Sequence, residues 1–382
     1  MKRTLIIFLG IIVFSCKQEK NNMVKSWPDT VELERKIDSL YNSYYDENGP
    51  AAVILIAYDG KDVLKKAYGQ RNIEKGKRAD SKTNFRSGSM AKQFTDLALL
   101  KLVEEGKIQL SDTLYNYYPY SIFRNVTIEQ LISHTSGIGD AEWMVGQDWK
   151  SKDYVHLKDI MDWYKNNYIT RFKPGSKFEY NNGTYYVLVK LVEDVSGKSF
   201  SDYMQEIVFD RIRMDNTYYI NDENNGKIPN MAICYEKDSI GNWVSDEFSP
   251  FNTLVGPGGL YTNLEDYSKY LNALREHTIL DENSHQKIFE PISMNIELHS
   301  EDMRSLKGKK SSYAMGWEVT DSLAVSAGLY YGVNNWCVFE FKRPLSFVIL
   351  TNNPILFKER LVDKTYKIID DYFTSTTNNG YN

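Results

Sequence analysis

The tetrad Ser89-Met90-Ala91-Lys92 sets a hydroxyl and an amine three residues apart, just ahead of the apolar run Leu97, Ala98, Leu99, Leu100, Leu102 and Val103. A helix that is hydrophobic nearly all round belongs in a core, and Gly106 offers its stop. Residues i and i+3 share a helix face, so Ser89 and Lys92 are expected to point together into a cavity at the helix start. Free backbone N–H groups and the positive dipole end favour developing negative charge there. A nucleophilic hydroxyl, an amine one turn away and an electropositive cradle are the parts that acyl transfer requires. The spacing alone is a weak signal. Ser284-His285-Gln286-Lys287 repeats it in a polar stretch, where a surface helix turn explains it.

A second candidate lies in Phe172-Lys173-Pro174-Gly175-Ser176-Lys177-Phe178-Glu179-Tyr180-Asn181-Asn182-Gly183. Pro-Gly makes a turn, and a short extended piece then carries Tyr180 and Asn182 toward a helix starting at Gly183. A tyrosine beside a lysine ammonium has its phenolate favoured, which would make Tyr180 a proton acceptor. The Asn182 amide can both donate to and accept from a substrate amide. Tyr-x-Asn also starts at Tyr164, Tyr219 and Tyr270, so by itself the segment reads equally as a structural turn.

The elements that must hold these groups are legible in outline. Leu33, Ile37, Leu40, Tyr41 and Tyr44 have a helical period across Val31 to Tyr45, and Gly49-Pro50 breaks it. Ala51 to Tyr58 is a β-rich run, Asp59-Gly60 a hairpin turn, and Asp62 to Tyr68 the returning strand. Helices and loops fill residues 112–213, including a helix from Thr184 to Val195. Asn221 to Pro257 is irregular, and a capped helix runs from Thr262 to Leu274. Strands are expected at Tyr313–Val319, Leu323–Ser326, Asn335–Phe341 and Ser346–Thr351, then a helix from Lys358 to about Phe373 and a polar tail from Thr374. Strands at both ends with helices between predict an α/β (α+β layered) domain over residues 31–373. Its sheet is assembled from the two chain ends, with a helical insertion.

The N-terminus reads as a targeting segment. Lys2 and Arg3 precede an apolar stretch from Leu5 to Phe14, too short to span a bilayer. Val13-Phe14-Ser15-Cys16 resembles the lipobox of bacterial lipoproteins, which implies a signal peptide over residues 1–15, lipid on Cys16 and a tether to residue 30. The expected partners are therefore a bacterial membrane, through that anchor, and a small-molecule or peptide substrate. A net charge of −5 with no basic run excludes a nucleic-acid surface. Five histidines without ligand spacing, and no C-x-x-C or H-E-x-x-H, lead us to expect neither metal nor other cofactor. Cys234 and Cys337 could be bridged or free.

Taken in order, Gly88-Ser89-Met90-Ala91-Lys92, Leu131 to Gly137, Tyr180-Asn181-Asn182-Gly183, Gly256 to Leu260 and Tyr313-Ala314-Met315-Gly316-Trp317 resemble the serine β-lactamase and penicillin-binding protein superfamily, in its class C-like branch. The resemblance spans roughly residues 49–353. It implies a β-lactamase/transpeptidase-like fold with a mainly antiparallel sheet. It implies Ser89 as acyl-enzyme nucleophile, Lys92 and Tyr180 as its proton-moving partners, and Asn182 as a holder of the substrate amide. The backbone N–H groups of Ser89 and Leu329 would form the oxyanion hole. His134, within the Leu131–Gly137 segment, is expected to fix a loop.

One motif departs from the pattern. Family members carry Lys-Thr-Gly or His-x-Gly on the strand lining the cleft, whereas this chain has Ser326-Ala327-Gly328. Gly328 fits, but Ser326 brings neither a positive charge nor an imidazole. Weak binding of substrates with a free carboxylate is the expected consequence. The reading is an exported serine hydrolase acting on a peptidoglycan or D-amino-acid peptide, a small ester or a β-lactam. The alternative is a catalytically impaired binding or scaffolding protein of the same fold.

Overall fold

The computed structural model describes residues 30–245, 249–296 and 311–378. The signal segment, Cys16 and the tether to residue 29 lie outside the described residues, as do the last four of the expected tail.

An eight-stranded, wholly antiparallel sheet forms the frame. In chain order its strands are β1 (Ala52–Tyr58), β2 (Lys61–Tyr68), β3 (Ser293–Ile296), β4 (Ser311–Tyr313), β5 (Glu318–Val319), β6 (Leu323–Tyr330), β7 (Val333–Glu340) and β8 (Leu345–Thr351). Their spatial order is β3-β4-β5-β6-β7-β8-β1-β2. The two chain ends meet in the β1–β8 pair, with Ala52 opposite Thr351 and Tyr58 opposite Leu345. Asp59 and Gly60 both take positive φ, as the two central positions of a tight hairpin require.

Both faces of the sheet are covered, which is why β1 is apolar at every position rather than at alternate ones. Ala52, Ile54 and Ile56 pack with Leu33, Ile37 and Ile369 from the helices Val31–Asn42 and Leu361–Asn378. Val53 and Leu55 point the other way, into the larger core with Phe94, Leu97 and Leu100 of the Lys92–Glu104 helix. That helix is buried on every face as far as Leu102, as its composition predicts.

Three differences from the sequence reading have local causes. The strand expected over Tyr313–Val319 is two short strands joined by a turn. Gly316 has φ +72°, and a Cβ on it would lie 2.5 Å from Gln93 N, so the chain bends to seat the start of the Lys92 helix. The last helix continues past Thr374 to Asn378, beyond the point where a polar tail was expected. The helix expected to start at Thr262 starts at Leu264, with Asn263 accepting the Asp266 N–H as its cap.

Candidate active site

Ser89 sits in a single 3-10 turn, Gly88–Ala91, that leads into the Lys92–Glu104 helix. The turn is pressed against β6. Gly88 has φ +57°, and a Cβ there would lie 3.0 Å from Leu329 N. A Cβ on Gly328 would lie 1.9 Å from Ser87 O. Two glycines therefore bring the serine turn and the cleft strand into backbone contact, with the Leu329 N–H beside the turn. Asn335 of β7 fixes the same loop from behind, its Nδ2 donating to Arg86 O at 2.7 Å.

Lys92 is 1% exposed, and its Nζ has three neighbours: Ser89 Oγ at 3.2 Å, Asn182 Oδ1 at 2.8 Å and Pro257 O at 3.2 Å. Two of these are carbonyl oxygens, which can only accept. Ser89 alone can reverse its role. A neutral Lys92 can donate one N–H to each carbonyl and turn its lone pair to the Ser89 hydroxyl. Burial pushes its pKa down to about 7, while the carboxylates of Glu142, Asp140 and Asp96 pull the other way. The neutral amine is thus available near neutral pH.

The surroundings of Tyr180 favour the phenol over the phenolate that its nearness to lysine suggested. Lys92 Nζ lies 4.7 Å from the centroid of the Tyr180 ring, over its face rather than at its oxygen. Burial of the hydroxyl raises the phenol's pKa above the ordinary tyrosine value, and Glu142, Glu318 and Asp140 raise it further. A hydrogen bond with Ser89 works in the opposite direction without overcoming them. Tyr180 lies beside Ser89, with 39% of the residue exposed in the cleft wall.

The loop carrying Tyr180 is clamped by His134, which takes the left-handed conformation at φ +56°. His134 O accepts from Glu179 N at 2.9 Å, and its Nδ1 accepts from Asn181 N at 3.1 Å. Nε2 is then left to carry the ring proton toward Tyr313 Oη, 3.3 Å away. The imidazole packs against the Tyr180 ring in a tilted arrangement, 4.4 Å between centroids. His134 fixes a loop, and the loop is the one that aims Tyr180.

Two acids that the motifs did not single out complete the surroundings. Asp140 caps the helix Ala141–Asp148 and also binds the next motif. Its Oδ1 accepts from Glu142 N and Gly183 N, both at 2.9 Å, and its Oδ2 from Asn182 N at 3.1 Å. Gly183 is required there, since a Cβ would sit 2.8 Å from Asp140 Oδ1. Glu142, in the first turn of that helix, borders a small cavity together with Asn182 and Tyr186, and desolvation raises its pKa to about 7. Asn182 Oδ1 accepts from Lys92 Nζ at 2.8 Å, which turns the amide oxygen toward the lysine. Asp140-Ala141-Glu142 after two glycines is a helix-start signature that the sequence does contain.

A cleft of about 380 Å³ opens over these groups, lined by Ser89, Lys92, Tyr180, Asn182, Ser326 and Leu329 with apolar and aromatic neighbours and the acid Glu318. Ser89, Lys92, Tyr180 and Asn182 are brought together as expected. Ser326 lines the cleft, but its hydroxyl is spent on the fold, donating to Gly316 O at 3.0 Å across to the Met315-Gly316 bend. Gly328 and Leu329 face the serine turn. Among the described residues lining this cleft, Lys92 is the one cation. No disulfide joins Cys234 and Cys337, both of which are buried. Among the described residues no cluster of three or more His, Cys, Asp or Glu side chains is placed to hold a metal.

A helix-start serine bonded to a buried lysine, with a tyrosine and an asparagine from a second loop and a strand edge opposite, defines the serine β-lactamase and transpeptidase class. The chain belongs to the Beta-lactamase family, whose profile matches residues 34–369. It is 26% identical over 349 residues to Protein flp of Staphylococcus aureus, an alignment covering 87% of this chain and 66% of that one. It thus spans slightly under two thirds of that relative's length. The fold is similar to D-amino acid amidase from Ochrobactrum anthropi SV3, with a TM-score of 0.75 and 17% identity over 89% of this chain and 99% of that one. It is also similar to the octameric penicillin-binding protein homologue from Pyrococcus abyssi, with a TM-score of 0.73 and 24% identity over 85% and 74% of the two chains.

Proposed function

We propose that this protein is a serine hydrolase that forms an acyl-enzyme on Ser89 and cleaves an ester or amide. The observation that carries the reading is the Lys92 environment, in which two obligate acceptors leave the amine lone pair for Ser89. Lys92 takes the Ser89 proton as Oγ bonds to the acyl carbon. The Ser89 N–H, in the first turn where helical acceptors are lacking, and the Leu329 N–H take the developing oxyanion. Tyr180, protonated, donates to the departing alkoxide or amine and recovers a proton from the Lys92 ammonium by way of solvent in the cleft, and the neutral Lys92 so restored activates water for deacylation. Ester, D-amino-acid amide or peptide, and β-lactam donors are the candidate classes. The amidase and the penicillin-binding homologue among the structural neighbours support the second and third.

The test is intact-mass spectrometry after incubation with a fluorophosphonate, a p-nitrophenyl ester and a penicillin. The wild type is expected to gain an adduct that Ser89→Ala lacks, and ester turnover is expected to fall by at least about 10³-fold in that variant. Folded wild-type protein that takes up none of the three reagents would instead favour a binding or scaffolding role. We also propose export and anchoring through Cys16, on the strength of the lipobox-like Val13–Cys16 segment. Cys16→Ser should then move the protein from the membrane fraction to the soluble one.

A further inference from the structure

Arg86, three residues before Ser89, is buried to 7% exposure, yet no carboxylate pairs with it among the described residues. Its Nη1 and Nη2 donate to Asn252 Oδ1 and O at 2.9 and 3.3 Å, and its guanidinium lies 4.0 Å from the Tyr330 ring centroid. A guanidinium has five N–H groups, so these two bonds leave donors unused and the charge uncompensated. Burying an unpaired cation is costly, which makes the position notable.

Arg86 and Tyr330 line both of two adjoining spaces. One is a small cavity of about 40 Å³ lined by Ser89, Glu142 and Asn182. The other is a cavity of about 250 Å³ whose described walls include Tyr154, Asn225, Met231 and Tyr331. No acid lines this larger space among the described residues. Of the two spaces Glu142 borders only the smaller, and its carboxylate forms no ion pair with Arg86. The larger cavity therefore combines a buried positive charge, polar amide and phenol groups, and room for a small acyl chain.

We propose that this cavity is a carboxylate-binding subsite, occupied by an anionic group on the acyl donor that is attacked by Ser89. The planar fork of Arg86 suits a carboxylate, and such a group would supply the missing counter-charge. The inference rests on the assignment of Ser89 as nucleophile only for calling the ligand an acyl donor. Carboxylate recognition then moves along the third-motif strand, from Ser326, which offers no charge, to its Tyr330 end beside Arg86.

The test uses two esters of matched length, mono-p-nitrophenyl glutarate and p-nitrophenyl valerate, titrated calorimetrically into Ser89→Ala protein so that no turnover is needed. The anionic ester is expected to bind roughly ten- to a hundred-fold more tightly, as a charge-assisted contact does. Adding Arg86→Gln should abolish the difference, and adding Arg86→Lys should retain part of it. Should Arg86→Gln fail to fold by circular dichroism, Asn225→Asp decides, because it sets a negative charge in the cavity wall and leaves Arg86 in place. It should remove or invert the preference. Equal binding of the two esters, or a preference unmoved by Asn225→Asp in folded protein, overturns the proposal. Turnover of the neutral ester by protein with Ser89 intact reports on the hydrolase reading separately.

Discussion

The two flanks of Ser89 differ in how their polar groups are spent. On the Ser326 side the strand is a structural seam. The Ser326 hydroxyl ties β6 to the Gly316 bend, and Gly328 exists to let the backbones touch. On the Glu142 side, Asp140, Glu142, Asn182 and Lys92 form one connected set that governs where protons reside. The contrast teaches that an uncharged third motif need not disable the nucleophile. What it removes is a contact to substrate, while the base and its electrostatic setting lie across the cleft.

The sharpest way to break the comparison is Lys92→Met. It should lower kcat/KM for a p-nitrophenyl ester by about 10²–10⁴-fold, measured by steady-state kinetics. It should also erase the rise of activity with pH. In the wild type, Lys92 below its pKa of about 7 is an ammonium without a lone pair, so kcat/KM should climb as pH rises through that value. A pH profile that stays flat from 5 to 9 in the wild type would remove Lys92 as the base.

Glu142→Gln gives a subtler effect on the same flank. The carboxylate holds the Lys92 pKa up, so its loss should move the acid limb of the kcat/KM profile to lower pH. The two groups titrate as a coupled pair, and the limb should also steepen or simplify. Movement to higher pH would show that Glu142 acts as something other than a charge beside Lys92.

Smallest is Ser326→Ala. It removes one neutral hydrogen bond, worth about 0.5–1.5 kcal/mol, and leaves the Gly316 carbonyl to water or to nothing. Denaturant unfolding should register that loss, while the pH profile of ester turnover stays where it was. A changed profile would make Ser326 part of the proton machinery after all.

Much of this site was legible before any coordinates, because it is written in local patterns. Ser89 and Lys92 announce themselves by helical spacing before an apolar run, and Gly183 by its place at a helix start. The covered sheet shows in the continuous apolar stretch of β1. The environment of each group was less legible, since it depends on atoms far away in sequence. Tyr180 and Lys92 are neighbours as expected, but the ammonium lies over the ring face, and burial then decides the phenol's protonation. Glu142 was overlooked because its role comes from being enclosed against Asn182 and Tyr186 rather than from a motif. Arg86 stood in plain view within Phe85–Phe94 and carried no signal, since only the fold reveals that no acid accompanies it.

The β1–β8 pairing has a consequence for when the protein becomes active. The nucleophile turn is complete only when Gly328 and Leu329 reach Gly88, and that strand arrives more than two hundred residues later in the chain. Contacts so distant in sequence form late and slowly. A nascent or partly threaded chain therefore carries Ser89 without its strand wall. Under the proposed mechanism chemical competence waits for β6 to reach the Ser89 turn, and labelling of Ser89 by a fluorophosphonate would report that contact.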